Sequence, residues 1–192
     1  MATLANLRTE TQKLLDDTNA KRWTTADLDL YLNEAQLVLN QTRGDYKTAI
    51  TVTTVGGTAT YTLSPIPIGP IARVEDANGQ MLTRTTEDIL NTFQDEWRSE
   101  TELEARQWCL GNNNFDSIRL WPTPLSDSYI YSVWAPTTPP TMNGGQDSVI
   151  PEYLTRALPY YAAHKALLRD RNDRDSALSD KYLAVFNQII GG

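Results

Sequence analysis

Cysteine occurs once in this 192-residue chain, at Cys109, and histidine once, at His164. A single cysteine excludes an intramolecular disulfide framework and a cysteine-clustered metal site, and a single histidine excludes multi-histidine sites such as HExxH. Basic residues are outnumbered: Lys and Arg total 17 against 24 Asp and Glu, a net charge of −7. A nucleic-acid grip built on bulk positive charge is therefore not expected. No run of about 18 apolar residues is present, so no membrane-spanning helix is expected. Residues 1–10 lack a cationic start and an apolar run, so no signal peptide is expected either. The strings GxxxxGKS/T, GxGxxG and GxSxG are absent, which removes the usual phosphate cradles and the nucleophile elbow. These absences point to a soluble protein made in a reducing compartment. Catalytic, cofactor-binding and metal sites are each expected to be none.

What remains is globular. Hydrophobic residues make up 40% and charged residues 21%, which excludes a disordered chain or a coiled coil and leaves one domain, or one core with an inserted subdomain. Leu4, Leu7, Thr11, Leu14 and Leu15 follow one helical face, closed by a polar turn at Asp16, Asp17 and Asn19. Thr24 with Asp27 three residues later predicts a capping box, and Trp23 predicts a staple against Leu28. Leu28, Tyr31, Leu32, Ala35, Val38 and Leu39 form the stripe of this second helix. Leu30 and Leu37 fall almost opposite, and a helix apolar on two faces needs two partners.

The period then changes. Residues 48–55 and 58–63, rich in Thr, Val, Ile and Tyr and separated by Gly56-Gly57, predict a hairpin. Pro65, Pro67 and Pro70 break the ladder. A second hairpin is expected around Asn78-Gly79, joining 71–76 to 80–84, then a short helix from Thr86 to about Trp97. Segments 106–110, 116–121 and 128–134 read as strands, with Asn112, Asn113 and Asn114 in the turn between the first two. Residues 136–147 read as a polar loop. Residues 153–170 are apolar nearly all round, with Pro159 expected to kink the helix. A last helix carries Leu178, Tyr182, Val185, Phe186 and Ile189 on one face. The expected fold is α+β: an antiparallel helical bundle from N- and C-terminal helix pairs (1–46 and 150–192) with an inserted antiparallel β subdomain (47–149).

Each candidate for chemistry has a plainer reading that is favoured. His164 lies in the apolar 153–170 helix and reads as packed or interfacial rather than catalytic. Cys109 follows Trp108 in a strand, with no base or helix start to activate it. Glu100, Glu102 and Glu104 read as a solvated face rather than a cation site or a carboxylate pair. Asp170, Asp173 and Asp175 suit turns and caps. Arg169, Arg171 and Arg174 suit a helix end and local ion pairs better than phosphates. Trp97, Trp108, Trp121 and Trp134 read as packing rather than a sugar platform.

Several segments together resemble tailed-bacteriophage head-to-tail adaptor (connector, neck) proteins. They are Trp23-Thr24-Thr25-Ala26-Asp27-Leu28 with Tyr31-Leu32-Asn33-Glu34-Ala35-Gln36; Leu120-Trp121-Pro122-Thr123-Pro124 with Tyr131 and Trp134-Ala135-Pro136; and Ile150-Pro151-Glu152-Tyr153-Leu154, Tyr161-Ala162-Ala163-His164-Lys165-Ala166-Leu167, Ala177, Tyr182 and Phe186. Their order along nearly the whole chain carries the resemblance; Pro159 departs from it. The resemblance implies a structural virion protein, not an enzyme, with no cofactor. It implies a ring homo-oligomer, commonly of twelve copies, between the portal protein and the tail nozzle or fibre, assembled in the host cytoplasm, with double-stranded DNA passing through its lumen and no membrane partner. The net negative charge suits such a conduit, since an acidic lumen repels phosphates.

On that reading, Leu30, Leu37, Tyr160, Tyr161 and His164 are candidate subunit-interface residues. Tyr182, Phe186, Ile189 and Ile190 are candidate portal contacts. Pro139, Pro140 and Met142 are candidate tail or fibre contacts. The rivals are another tail component (nozzle, tail terminator or fibre-attachment protein), a glycan-acting enzyme using Glu102 and Glu104, and a sugar-binding module using Trp97 and Trp134.

Overall fold

The computed structural model describes residues 2–93, 96–111, 114–170 and 173–191, without the side chains of Phe93, Asp170, Asp173 and Arg174. The described residues form helices α1 (Leu4–Leu14), α2 (Thr25–Arg43), α3 (Glu87–Phe93), α4 (Glu152–Thr155), α5 (Leu158–Asp170) and α6 (Asp173–Gly191). Their strands are β1 (Lys47–Thr53), β2 (Thr60–Thr62), β3 (Arg73–Glu75), β4 (Thr83–Arg84), β5 (Thr101–Glu102), β6 (Gln107–Leu110), β7 (Ser117–Trp121), β8 (Thr123–Pro124) and β9 (Ile130–Pro136). The fold is mixed α+β. It parts into two compact units: Met1–Tyr46 with Thr138–Gly192, and Lys47–Thr137.

In the helical unit, both ends of α2 carry chemical stop signals. Thr24 Oγ1 accepts the Asp27 amide, and the Asp27 carboxylate accepts the Thr24 amide, so the expected capping box is present. Gly44 closes the other end at φ 65°, a left-handed position that glycine tolerates without a Cβ penalty. Buried Leu4 and Leu7 of α1 pack with Leu32, Ala35 and Leu39 of α2, Leu158 and Ala162 of α5, and Phe186 of α6. A second cluster joins Trp23 and Leu28 to Ala166 and Leu167. Burying each leucine contributes roughly 1.5–3 kcal/mol relative to leaving it exposed. The Arg8 guanidinium grips the Asp29 carboxylate through two 2.6 Å bonds, tying α1 to α2.

The expected single helix over 153–170 is broken into α4 and α5. Pro159 does not kink a helix interior; it is the second residue of α5, where the amide it lacks has no intrahelical acceptor to lose. Residues 138–149, expected with the β-rich segment, belong to the helical unit.

In the β unit the sheet orders are β1-β9-β3, β2-β7-β6-β4 and β5-β8. The expected first hairpin does not form. β1 pairs antiparallel with β9, Ile50 opposite Val133, while β2 pairs with β7 in another sheet. The reason lies at the glycines: the Gly56 amide donates to Asp127 Oδ1 at 2.7 Å and the Gly57 amide to the Pro124 carbonyl at 2.9 Å. The Gly-Gly pair does turn the chain, the Thr58 amide donating to the Val55 carbonyl at 3.0 Å, but its own amides dock on residues 124–127 and the two strands part into different sheets.

The second hairpin forms from Val74 to Leu82, where the Leu82 amide donates to the Val74 carbonyl at 2.8 Å. Asp76 and Gln80 bond, and Glu75 bridges Met81. β3 then joins β9 and β4 joins β6 in parallel. Helix α3 is described over Glu87–Phe93, and Trp97, the expected end of the helix, lies in a turn. The strands expected near 106–110, 116–121 and 128–134 are β6, β7 and β9, and Tyr131, Val133 and Ala135 face the core as their alternation requires. The turn expected at Asn112 and Asn113 lies outside the described residues, as does Arg171 of the basic cluster and the side chain of Arg174.

Candidate assembly surfaces

Helix α2 presents a polar ladder beside its apolar stripe. Asn33, Gln36 and Asn40 recur at i, i+3 and i+7, and their carboxamides bind backbone that has no ladder of its own. Asn33 Oδ1 accepts the Met142 amide at 2.7 Å, and Gln36 Nε2 donates to the Pro140 carbonyl at 3.0 Å. Asn40 Oδ1 accepts the Tyr46 amide at 2.8 Å. Ser148 donates to Gln36 Oε1 at 2.7 Å. Buried backbone groups need such partners. Asn33 and Gln36 stand in a segment that carries the family resemblance, but the role of the three was not foreseen, although their helical spacing is a readable signal.

The ladder fixes the 138–149 loop against α2 and opens a groove of about 340 Å³ lined by Leu30, Leu37, Thr138, Pro139 and Thr141 with polar neighbours. Leu30 is 64% exposed and Leu37 half-buried, so α2 carries the second apolar face that its spacing predicts. In the loop, Pro139 and Met142 are buried and Met142 belongs to the core; only Pro140 of the three expected tail contacts is exposed.

The apolar face of α6 is largely used within its own unit. Phe186 is buried against Tyr161, ring centroids 5.1 Å apart, and Ile190 is in the same core. Tyr182 is half-buried and donates to the Leu14 carbonyl at 2.6 Å. Of the four expected portal contacts, Ile189 lines a groove of about 510 Å³ with Tyr153, Arg156, Tyr160 and Gln188. Tyr161 bonds Glu34 at 3.2 Å, and Glu34 pairs with Lys165 at 2.7 Å. The hydrogen bond that Lys165 donates to the Glu34 carboxylate holds the ammonium above its ordinary pKa, against the opposing pull of desolvation. His164 is buried, with Nδ1 2.8 Å from Ser179 Oγ and 3.1 Å from the Ser179 carbonyl. It faces α6 inside the unit.

Of the residues considered for chemistry, the following are engaged in structure. Cys109 is buried, and desolvation pushes its thiol up to about 11, far from a reactive thiolate. Glu102 pairs with Arg106 at 2.6 Å. Arg169 pairs with Asp27 at 2.8 Å, and Arg22 with Asp175. The Trp97 ring is flanked by the Arg98 and Arg119 guanidinium groups, 4.3 and 4.8 Å from its centroid. Trp134 donates to Glu75 and lies under Arg73. No sugar platform is left open by that packing. Among the described residues no group of three His, Cys, Asp or Glu is spaced to hold a metal ion. No helix among them is long and apolar enough to cross a membrane.

The grooves beside Leu30 and Ile189 are open, while the Cys109 thiol and the His164 imidazole are buried. The family model described as SU10 adaptor protein matches residues 2–192, and the chain belongs to that family. No curated protein matches the chain. Family membership makes it a structural protein of a bacteriophage virion, acting at the junction of head and tail with other head and tail components.

Proposed function

We propose that this chain is the repeating subunit of a ring, of twelve copies, that joins the portal protein to the tail nozzle or fibre and lets double-stranded DNA through its lumen. The helical unit acts as an antiparallel bundle that carries the lateral contacts, and the β unit reaches other components. The ring is assembled in the host cytoplasm. The observation that carries this reading is the second apolar face of α2: Leu30, 64% exposed, at a groove with Leu37 and Pro139. An exposed leucine over a shaped apolar groove is a surface that association covers. Tyr160 and Tyr161 lie half-buried on α5 and complete the lateral face; His164, being interior, holds α5 to α6 instead.

The portal contact centres on Ile189 with Tyr153 and Tyr160 rather than on Phe186 and Ile190, which the core already uses. Of Pro139, Pro140 and Met142, Pro140 is the exposed one and is open to a tail-side partner. A chain of net charge −7 repels the phosphates of the passing duplex.

Cryo-electron microscopy of the particle tests the proposal. A twelve-fold ring of this chain directly below the portal is the expected result. Density elsewhere in the tail would move the partners, making the chain a nozzle, terminator or fibre-attachment component. Absence from the particle would overturn the structural reading altogether.

A further inference from the structure

Among the described residues no large apolar side chain is more exposed than Met81 and Leu103, each 70% open to solvent. Both line one groove of about 610 Å³ in the β unit, between the turn joining β3 to β4 and the segment joining β5 to β6. Asp76, Glu102 and Glu104 also line it, with Arg106 as its one cation. Arg106 already pairs with Glu102 at 2.6 Å. That leaves the charges of Asp76 and Glu104 without a cation in the groove wall. Asp76 is held in place, its Oδ1 accepting the Asn78 and Gln80 amides at 2.8 Å each, and the Glu104 carboxylate lies beside the Tyr129 hydroxyl.

We infer that this groove docks an extended basic segment of another protein of the particle, with Lys or Arg opposite Asp76 and Glu104 and apolar side chains on Met81 and Leu103. Charge complementarity selects this occupant. DNA and acidic segments are repelled, and a second copy of this chain is itself acidic overall. A purely apolar segment would strip water from two carboxylates and leave them without partners, which is costly. A divalent ion is disfavoured because no three-carboxylate cluster here is spaced for one. The inference adds a partner chemistry to the family's role and does not depend on ring stoichiometry.

The test uses the full-length protein and a fluorescent probe peptide of alternating Lys and Leu, with binding read by anisotropy at physiological salt. Control probes replace Lys by Glu or Leu by Ser. The Lys/Leu peptide is expected to bind and the Glu/Leu peptide to fail. Glu104→Lys should weaken binding by roughly tenfold or more, and Leu103→Ser by several-fold. Both positions are exposed, and thermal melts check that each variant remains folded. Asp180→Lys makes the same change of net charge on the helical unit. If it weakens binding as much as Glu104→Lys, bulk charge is responsible and the docking groove is overturned. In the particle, a benzophenone side chain at position 81 should crosslink to a segment of a different protein with net positive charge. Crosslinking to a second copy of this chain or to DNA, or no crosslink, would overturn the inference.

Discussion

The indole N–H of Trp23 donates to the Ala166 carbonyl oxygen across 3.1 Å, linking the start of α2 to α5 inside the helical unit. The same ring packs with Leu28 and Leu167 and carries the Arg22 guanidinium 4.5 Å from its centroid. Two terms are therefore separable. Trp23→Phe keeps most of the bulk and loses the hydrogen bond, an expected cost of about 1 kcal/mol. Trp23→Ala also opens a cavity, an expected cost of about 3–5 kcal/mol. Urea unfolding followed by far-ultraviolet circular dichroism measures both, and equal costs would mean that the ring volume contributes little.

Asp17 organises the turn between α1 and α2. Its carboxylate accepts the Lys21, Arg22 and Trp23 amides at 2.9, 3.0 and 3.0 Å. Burial opposes its ionisation, but the three amides outweigh burial and hold the carboxyl below its ordinary value of 3.8. A depressed carboxyl contributes stability above its unfolded pKa and loses it as pH falls through the folded one. The stability difference between the natural chain and Asp17→Ala is thus expected to be full above about pH 5 and to shrink steadily below 3.8. Paired urea titrations across that range measure it. A difference independent of pH would show that the turn does not need the ionised form.

Gly56 is required by close approach rather than by a hairpin turn. A Cβ built there would lie 2.7 Å from the Leu125 carbonyl oxygen, a backbone atom that cannot swing away. Gly56→Ala is expected to destabilise by about 1–3 kcal/mol through overpacking. Gly145→Ala, where a Cβ meets nothing within 4 Å, is the control. Comparable melting temperatures for the two variants would remove the close-approach account.

The difference between what Gly56 suggests in sequence and what it does marks the limit of legibility here. Local chemistry was readable: Thr24 with Asp27 wrote the α2 cap, and the alternation of Tyr131, Val133 and Ala135 wrote β9. Pairing was not, because a Thr- and Val-rich run says strand without saying which strand lies beside it. β1 found β9, some eighty residues away in the chain, instead of its neighbour β2. The assembly surfaces divide the same way. Leu30 announced itself by lying opposite the core stripe of its helix. Phe186, Ile190 and Met142 were equally apolar but buried, and apolarity alone does not separate a docking face from a core.

That contrast gives the sharpest test of the lateral contact, because Leu30 and Leu32 are two residues apart on α2 with opposite environments. Leu32 is fully buried and Leu30 is 64% exposed. Leu32→Glu places an unpaired charge in the core and is expected to prevent folding of the helical unit. Leu30→Glu touches no core atom, so monomer stability should change by no more than about 0.5 kcal/mol. If the α2 groove is covered by a neighbour in the ring, however, the glutamate must be desolvated on association, and assembly should fail. Sedimentation velocity in the presence of portal, together with neck density in particles complemented by the variant, reads that outcome. A folded Leu30→Glu chain that still forms the ring would place the lateral contact elsewhere, with Tyr160 and Tyr161 the next positions to alter, since they remain only half-buried within the unit.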